Sequence, residues 1–430
     1  MMRCARQAIA VGCLMMANAI DAAEPEPANY DEAKVPAYTL PDPLVMADGR
    51  PVTNAAMWHD ERRSELLQFF RTQVYGKSPP KPAKLRFEPI ESDSHALGGL
   101  ATRKQVAVVI GPAERAVRVN VLMYVPNNAP GPVPVFLGLN FGGNQTIHAD
   151  PAIVMTTAWV RSTKKDDATV VDHRATEASR GSAASRWPAE LIVRRGYALA
   201  MAYYGEIDPD FDDGFTNGVH ALYPDGPRGD DAWGSIAAWA WGLSRIADYL
   251  ETDRDIDSRR IAVIGHSRLG KTSLWAGATD PRFALVVSND SGCGGAALSK
   301  RRFGESVAII NKSFPHWFCK NFRQYDDHEE RLPVDQHELI ALIAPRPVHV
   351  ASAEEDRWAD PRGEFLACKF ASPVYRLLET DGLAAEEMPS LLQPVVSTVG
   401  YHIRPGKHDV TDYDWQQYLT FADEHLKESR

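Results

Sequence analysis

The stretch Ile261-Ala262-Val263-Ile264-Gly265-His266-Ser267-Arg268-Leu269-Gly270-Lys271 decides how this chain of 430 residues is organised. Four apolar residues ending at a glycine read as a buried strand, and a helix is expected to begin just after Ser267. A serine on such a strand-to-helix turn is pushed out at the strand's carboxyl end, and the flanking glycines let the backbone turn tightly. The first N–H groups of the helix then face any oxyanion formed beside that hydroxyl, and the helix dipole aids them. The spacing here is Gly-x-Ser-x-x-Gly, one residue longer than the common Gly-x-Ser-x-Gly. A serine between glycines also serves as a plain turn residue. The strand before it and the helix after it favour a nucleophile.

The same rhythm extends outward from this turn. Apolar runs at 198–204, 261–264, 285–288, 348–351 and 395–399 read as buried parallel strands. Between and around them lie helical patterns at 57–73, 231–250 and 412–426. Shorter β-rich runs at 105–109, 118–125 and 133–139 come earlier, and the second alternates at period two as a half-buried antiparallel strand should. The fold class is therefore α/β, a mostly parallel central sheet with helices on both faces and long loop insertions. Two insertions, 144–187 and 205–228, are long for a compact domain. The first carries the charged residues Lys164 to Asp167. The second carries Asp208, Asp210, Asp212 and Asp213 but lacks the glycine and closing glutamate of a calcium loop. It reads as solvated loop.

Composition narrows the function. The chain is 44% hydrophobic and 24% charged, which is ordinary for a globular protein. Lys and Arg number 47 against 57 Asp and Glu, a net charge of −10, with no basic block. Nucleic-acid binding and polybasic membrane attachment are disfavoured. Arg3 and Arg6 precede an apolar run at 8–20 that ends in Ala22-Ala23, the pattern of a secretory signal over 1–23. Acylation at Cys13 is the poorer reading, because Ala10-Val11-Gly12 does not suit it. Export to the periplasm or the medium is expected, with no membrane span. Residues 24–55 form a Pro-rich, acidic leader, and 56–430 a single catalytic domain. The mature chain keeps Cys293, Cys319 and Cys368, enough for at most one disulfide. With no CxxC pair and no HExxH, neither a metal nor a cofactor is expected.

A serine nucleophile needs an imidazole base and an acid to orient it. In folds of this type the chain order is Ser, acid, His, with the histidine on a loop before the last helix. Among 13 histidines His408 fits best, between the strand near Val399 and the final helix. His402, at that strand's end, reads as a structural residue. Two acids compete. Asp356 follows the strand at 348–351, and Asp290 ends the strand after the nucleophile's helix. Each could also be a loop-capping aspartate.

Gly265-His266-Ser267-Arg268-Leu269-Gly270, together with Asp290 to Gly295, resembles the glucuronoyl esterases, family fifteen of the carbohydrate esterases. The family pattern is Gly-Cys-Ser-Arg-x-Gly, and His266 stands where it has cysteine, which indicates a bacterial-type member without the disulfide of fungal ones. The resemblance implies an α/β-hydrolase fold. It also implies hydrolysis of the ester between 4-O-methylglucuronate on xylan and a lignin alcohol. Fungal members place Glu where this chain has Asp290, and some bacterial members use an acid at the position of Asp356. Arg268 would face the developing oxyanion, while Lys271, Glu305 and Trp358 would hold the uronate sugar. Glucuronoxylan and lignin–carbohydrate esters are the expected partners, with no nucleic acid and no membrane, and a monomer is expected. The rival readings are an acetyl-xylan or other carbohydrate esterase and a non-catalytic glycan-binding protein.

Overall fold

Alternation along each central strand sends side chains into two separate cores. In the computed structural model, which describes residues 25–162, 167–224 and 228–427, nine strands form one sheet. They are β1 (Leu85–His95), β2 (Ala101–Ile110), β3 (Val117–Pro126), β4 (Val133–Asn140), β5 (Ala198–Tyr203), β6 (Ile256–His266), β7 (Phe283–Asn289), β8 (Val348–Ala353) and β9 (Val399–Arg404). Their order is β1-β2-β3-β5-β4-β6-β7-β8-β9. The first three pair antiparallel and β3 meets β5 antiparallel. From β5 onward all neighbours run parallel, so their carboxyl ends share one edge. The residues assigned to a secretory signal, and Lys164 to Asp166 of the first insertion, lie outside the described residues.

On β4, Val135, Leu137 and Leu139 join one core and Phe136 the other. The first core is covered by α1 (Arg63–Gln73), α3 (Ser235–Leu250), α4 (Arg268–Thr279), α5 (Gln336–Ala341) and α6 (Pro361–Leu377). The second is covered by α2 (Ala189–Arg194) and α7 (Asp412–Leu426). The leader lies against the domain, with Met46 and Val52 buried. The Arg62 guanidinium donates to the carbonyls of Pro43 at 3.1 Å and Asp42 at 3.2 Å.

Four sequence expectations need correction. The last strand is 399–404, not 395–399. Val395 bridges Tyr401 antiparallel, so the chain doubles back before entering the sheet, and His402 lies inside the strand. The long helix starts at Ser235 and not at Asp231, because the amides of Ser235 and Ile236 bond the carbonyls of His316 and Trp317 at 2.8 and 3.1 Å. Edge strand β1 escaped notice, since its polar run holds Pro89 at a register shift. The stretch 205–228 is not wholly solvated loop, as Asp208 and Asp210 are buried. Cys293, Cys319 and Cys368 are all buried and unbonded.

The turn after β6 is set by backbone contact. Ser267 has φ 59° and ψ −129°, and a Cβ on Gly265 would stand 1.8 Å from the Leu269 carbonyl oxygen. Beneath the same edge, the buried Glu364 carboxylate accepts from the amides of Ser291 (2.8 Å) and Gly292 (3.0 Å) and from the Ser352 hydroxyl (2.6 Å). Burial pushes its carboxyl up from 4.5 to about 7. The folded chain therefore holds a proton there that the unfolded chain has released, and stability falls as pH rises from about 4.5 through 7.

Gly265→Ala is expected to cost about 3 kcal/mol or more, measured by denaturant unfolding, because the clash is with backbone. A loss under about 1 kcal/mol would contradict this account of the turn. Glu364→Gln should remove on the order of 3 kcal/mol of the wild type's stability change across that pH window. Melting curves at pH 5 and pH 8 check it, and a wild-type-minus-variant difference that ignores pH would refute it.

Candidate active site

The sequence that makes the turn also aims it. β6 is buried on both faces and α4 begins at Arg268, so Ser267 stands alone between them at the carboxyl edge of the sheet. Its amide donates to the Asn289 carbonyl at 2.9 Å. Its own carbonyl accepts from Gly270 and Lys271 at 2.8 and 3.2 Å, which starts the helix. The N–H groups of Arg268 and Leu269, at the very start of the helix, have no acceptor within it. His266 is buried, donates from Nδ1 to Asn289 Oδ1 at 2.6 Å, and lies 4.4 Å from the His408 ring, centroid to centroid. Burial keeps it neutral by lowering its pKa far below the usual histidine range.

His408 lies on the loop between β9 and α7, and its side chain is 41% exposed. Its Nδ1 donates to Asp356 Oδ2 at 2.6 Å. Asp356 is buried at the start of the turn that follows β8. Asp290 takes a different place. It is buried at φ 45°, accepts from the Asp409 amide at 3.3 Å through Oδ2, and leaves Oδ1 without a partner. Burial, with the negative charges of Glu364 and Asp356 added, pushes its carboxyl well above the usual range. Of the two competing acids, Asp356 touches the imidazole and Asp290 touches the backbone of the loop that carries it.

That loop hangs on Arg404. Its guanidinium donates to the carbonyls of Pro405 and Lys407, each at 3.1 Å, and to that of Asp409. The same group pairs with Asp414 at 2.7 Å and lies 3.6 Å from Asp290. Asp414 also accepts from His402 Nε2 at 2.9 Å, and His402 Nδ1 accepts from His349 at 2.8 Å. His402 is thus part of a buried brace, in keeping with its structural reading. Ligand atoms of Asp290, Asp356 and His408 lie within 4.8 Å of one another, the one such group of three among the described residues.

Arg268 leaves the first turn of α4 over an aromatic floor. Its guanidinium carbon is 4.9 Å from the Trp317 ring, 5.5 Å from Phe314 and 5.7 Å from Phe141. It bonds to the carboxylate of Asp210. Asp210 also accepts from Tyr204 (2.9 Å), His316 (3.0 Å) and Trp317 Nε1 (2.8 Å), with Arg161 at 3.3 Å. Burial alone would raise its pKa, but these hydrogen bonds and the Arg268 charge hold it well below the usual carboxylate range. The second insertion thus supplies a fixed negative charge that orients Arg268.

Lys271, one turn further along α4, is buried, donates to the Ser291 carbonyl at 2.5 Å and lies 3.7 Å from Glu305. Glu305 is buried too, and burial raises its carboxyl against the opposing charge of Lys271. Its amide donates to the Trp358 carbonyl at 3.0 Å. The Trp358 ring is 42% exposed. Lys271 and Glu305 therefore face each other in a buried site and not at the surface, and Trp358 is not packed in the core. Sequence reasoning missed Asp210, His316, Trp317 and Arg404. Apart from Tyr204, six residues away, the partners of Asp210 lie 49 to 107 residues away along the chain, so no local pattern marks it. Arg404, five residues before Asp409, gave only a weak signal.

Known proteins resemble this chain in sequence and fold. A family model described as glucuronyl esterase of fungi matches residues 217–379. The chain is 56% identical, over 94% of its length and 93% of the relative's, to carbohydrate esterase MZ0003 from an unknown prokaryotic organism. A fungal relative from Wolfiporia cocos, a 4-O-methyl-glucuronoyl methylesterase, is 29% identical over 82% of this chain and 76% of that one. The solved glucuronoyl esterase of Solibacter usitatus superposes with TM-score 0.86 at 47% identity, covering 92% of this chain and 100% of that one. With the nine-stranded α/β sheet and the serine at its carboxyl edge, these likenesses decide the matter: the chain belongs to the glucuronoyl esterases, family fifteen of the carbohydrate esterases, ester hydrolases of the α/β-hydrolase fold.

Proposed function

We propose that the chain hydrolyses the ester between the 4-O-methylglucuronate of xylan and a lignin alcohol, through a covalent acyl-enzyme. The observation that carries this reading is the 2.6 Å bond between His408 Nδ1 and Asp356 beside the Ser267 turn. With Nδ1 held as donor, Nε2 is left free to take the serine proton. Ser267 Oγ attacks the uronoyl carbonyl as His408 removes its proton. Arg268 and the first N–H groups of α4 stabilise the oxyanion. His408 returns the proton to the departing alcohol, and water, activated in the same way, releases the uronate.

In this reading Asp356 is the acid that steers the imidazole, and Asp290, whose carboxyl burial pushes well above the usual range, holds the loop. Asp210 positions Arg268. Lys271 and Glu305 bind the sugar hydroxyls, and Trp358 gives the ring a flat face and an indole N–H. No cofactor enters the cycle. The segment at 1–23 supports export, and among the described residues no helix is long and apolar enough to cross a membrane. The enzyme works as a monomer.

Kinetics on a benzyl ester of glucuronate test the whole scheme. Ser267→Ala should lower kcat by about 10⁴-fold or more, and Asp356→Asn by a similar order. Asp290→Asn should stay within about tenfold of wild type, since it removes no charge from the imidazole's partner. Equal losses in the two aspartate variants would overturn the division of roles. Asp210→Asn should lower kcat by about 10²-fold while its KM moves little, the mark of an oxyanion donor that has lost its aim. Preference of the wild type for acetyl esters over glucuronate esters would remove the uronate assignment.

A further inference from the structure

The leader does more at the sheet's carboxyl edge than cover the core. Gly304 donates to the Asn29 carbonyl at 2.8 Å, so the leader pairs with the segment that carries Glu305. Gly304 has φ 67°, and a Cβ there would meet the Trp358 carbonyl oxygen at 2.4 Å. Leader, Glu305 segment and Trp358 turn are therefore three backbones in close contact, an approach that only glycine permits. Arg357 ties the outer two together. Its guanidinium donates to the Tyr30 carbonyl and lies 5.6 Å from the Tyr30 ring and 5.5 Å from the Phe303 ring. Among the described residues few aromatic rings stand open to solvent, yet Tyr30 is 41% exposed and Trp358 42%.

Beside them lies a cleft of about 660 Å³. Pro27, Asn29, Tyr30, Pro36, Arg302 and Ser306 form part of its wall. That volume falls within the range of about 300–1,000 Å³ found for small-molecule sites. The charges on its wall balance, Glu26 and Asp31 against Arg302 and Lys34. Arg302 is matched by Glu26 at 2.8 Å and Glu329 at 3.2 Å, and Lys34 lies 3.9 Å from Asp31. What remains is an open aromatic face with amide and hydroxyl groups around it, which suits an uncharged polyol better than an anion or an apolar ring. The Tyr30 phenol is raised by partial burial, opposed by Arg357 and reinforced by the charges of Asp356 and Glu305. Its ring is thus within electrostatic reach of the proposed sugar subsite and of the acid that holds His408.

We propose that Tyr30 and the leader cleft form a subsite for the neutral sugar chain that bears the glucuronate, continuing outward from Glu305 and Trp358. This rests on the glucuronoyl esterase reading above, because the chain is placed by where the uronate sits. The leader adjoins the residues assigned to the sugar, not Arg268, so it faces the glycan side of the ester and not the departing alcohol.

The test compares two benzyl esters, one of free glucuronate and one of glucuronate carried on a xylotriose. Tyr30→Ala should raise KM for the xylotriose ester about five- to tenfold at unchanged kcat. The KM for the free-glucuronate ester should stay within about twofold, and Tyr30→Phe, which keeps the ring, should restore the xylotriose KM. Equal KM changes on both esters would make Tyr30 a merely structural residue, and no change on either would mean that the cleft holds no sugar. Both results overturn the subsite. Failure of the wild type to hydrolyse either ester would instead sink the underlying reading, and that is seen before any variant is made.

Discussion

One close contact governs the molecule: the backbone at Gly265 passes so near the Leu269 carbonyl that no side chain fits between them. Ser267 is thereby held at positive φ, a conformation that L residues avoid unless their surroundings over-determine it. Those surroundings are the parallel strands β4, β6 and β7, buried on both faces, and α4 packed across them. The same crowding exposes the hydroxyl and points the start of α4 at it. Catalytic geometry and fold stability are thus one constraint.

Around that turn the site is assembled from buried charge, and each charge is matched before any substrate arrives. Asp210 collects bonds from Tyr204, His316, Trp317 and Arg268, and so fixes the guanidinium over an aromatic floor. Arg404 grips three carbonyls of the loop bearing His408 and is itself neutralised by Asp414. Removing one partner from such a cluster leaves a desolvated charge behind, which costs far more than the pair contributes when intact. Preorganisation of this sort lets dipoles and charges act on the transition state without first reorienting.

Much of this was legible in the chain, and the illegible part has a physical pattern. The strand-to-helix turn at Ser267, α7 and most of the buried strands are local features written as apolar runs beside glycines, and they lie where the sequence places them. The place of His408 on the loop before the last helix was readable too. Asp210 was not, because an aspartate among aspartates, glycines and prolines looks like solvated loop until partners from distant segments bury it. The end of the sheet was misread for a related reason. Val395 and Val396 form an apolar pair that turns back against Tyr401 instead of continuing into β9, and Val396 is left partly exposed. Periodicity reports burial along a segment and is blind to which distant segment provides it.

The two aspartates beside the imidazole show how burial resolves an ambiguity that spacing leaves open. Both end parallel strands, both lie near His408, and chain order admits either. Asp356 keeps a direct bond to Nδ1, where in the proposed cycle it faces the imidazolium that forms when serine gives up its proton. Asp290 lies deeper, and burial, with Glu364 and Asp356 as neighbours, makes a negative charge there costly. Arg404, at 3.6 Å, is already engaged by Asp414 and the loop carbonyls, so it offsets only part of that cost. Two carboxyl groups in environments that differ this much carry a negative charge at different cost, and their contacts differ accordingly. Asp356 meets the imidazole itself; Asp290 meets the backbone of the loop on which that imidazole is carried.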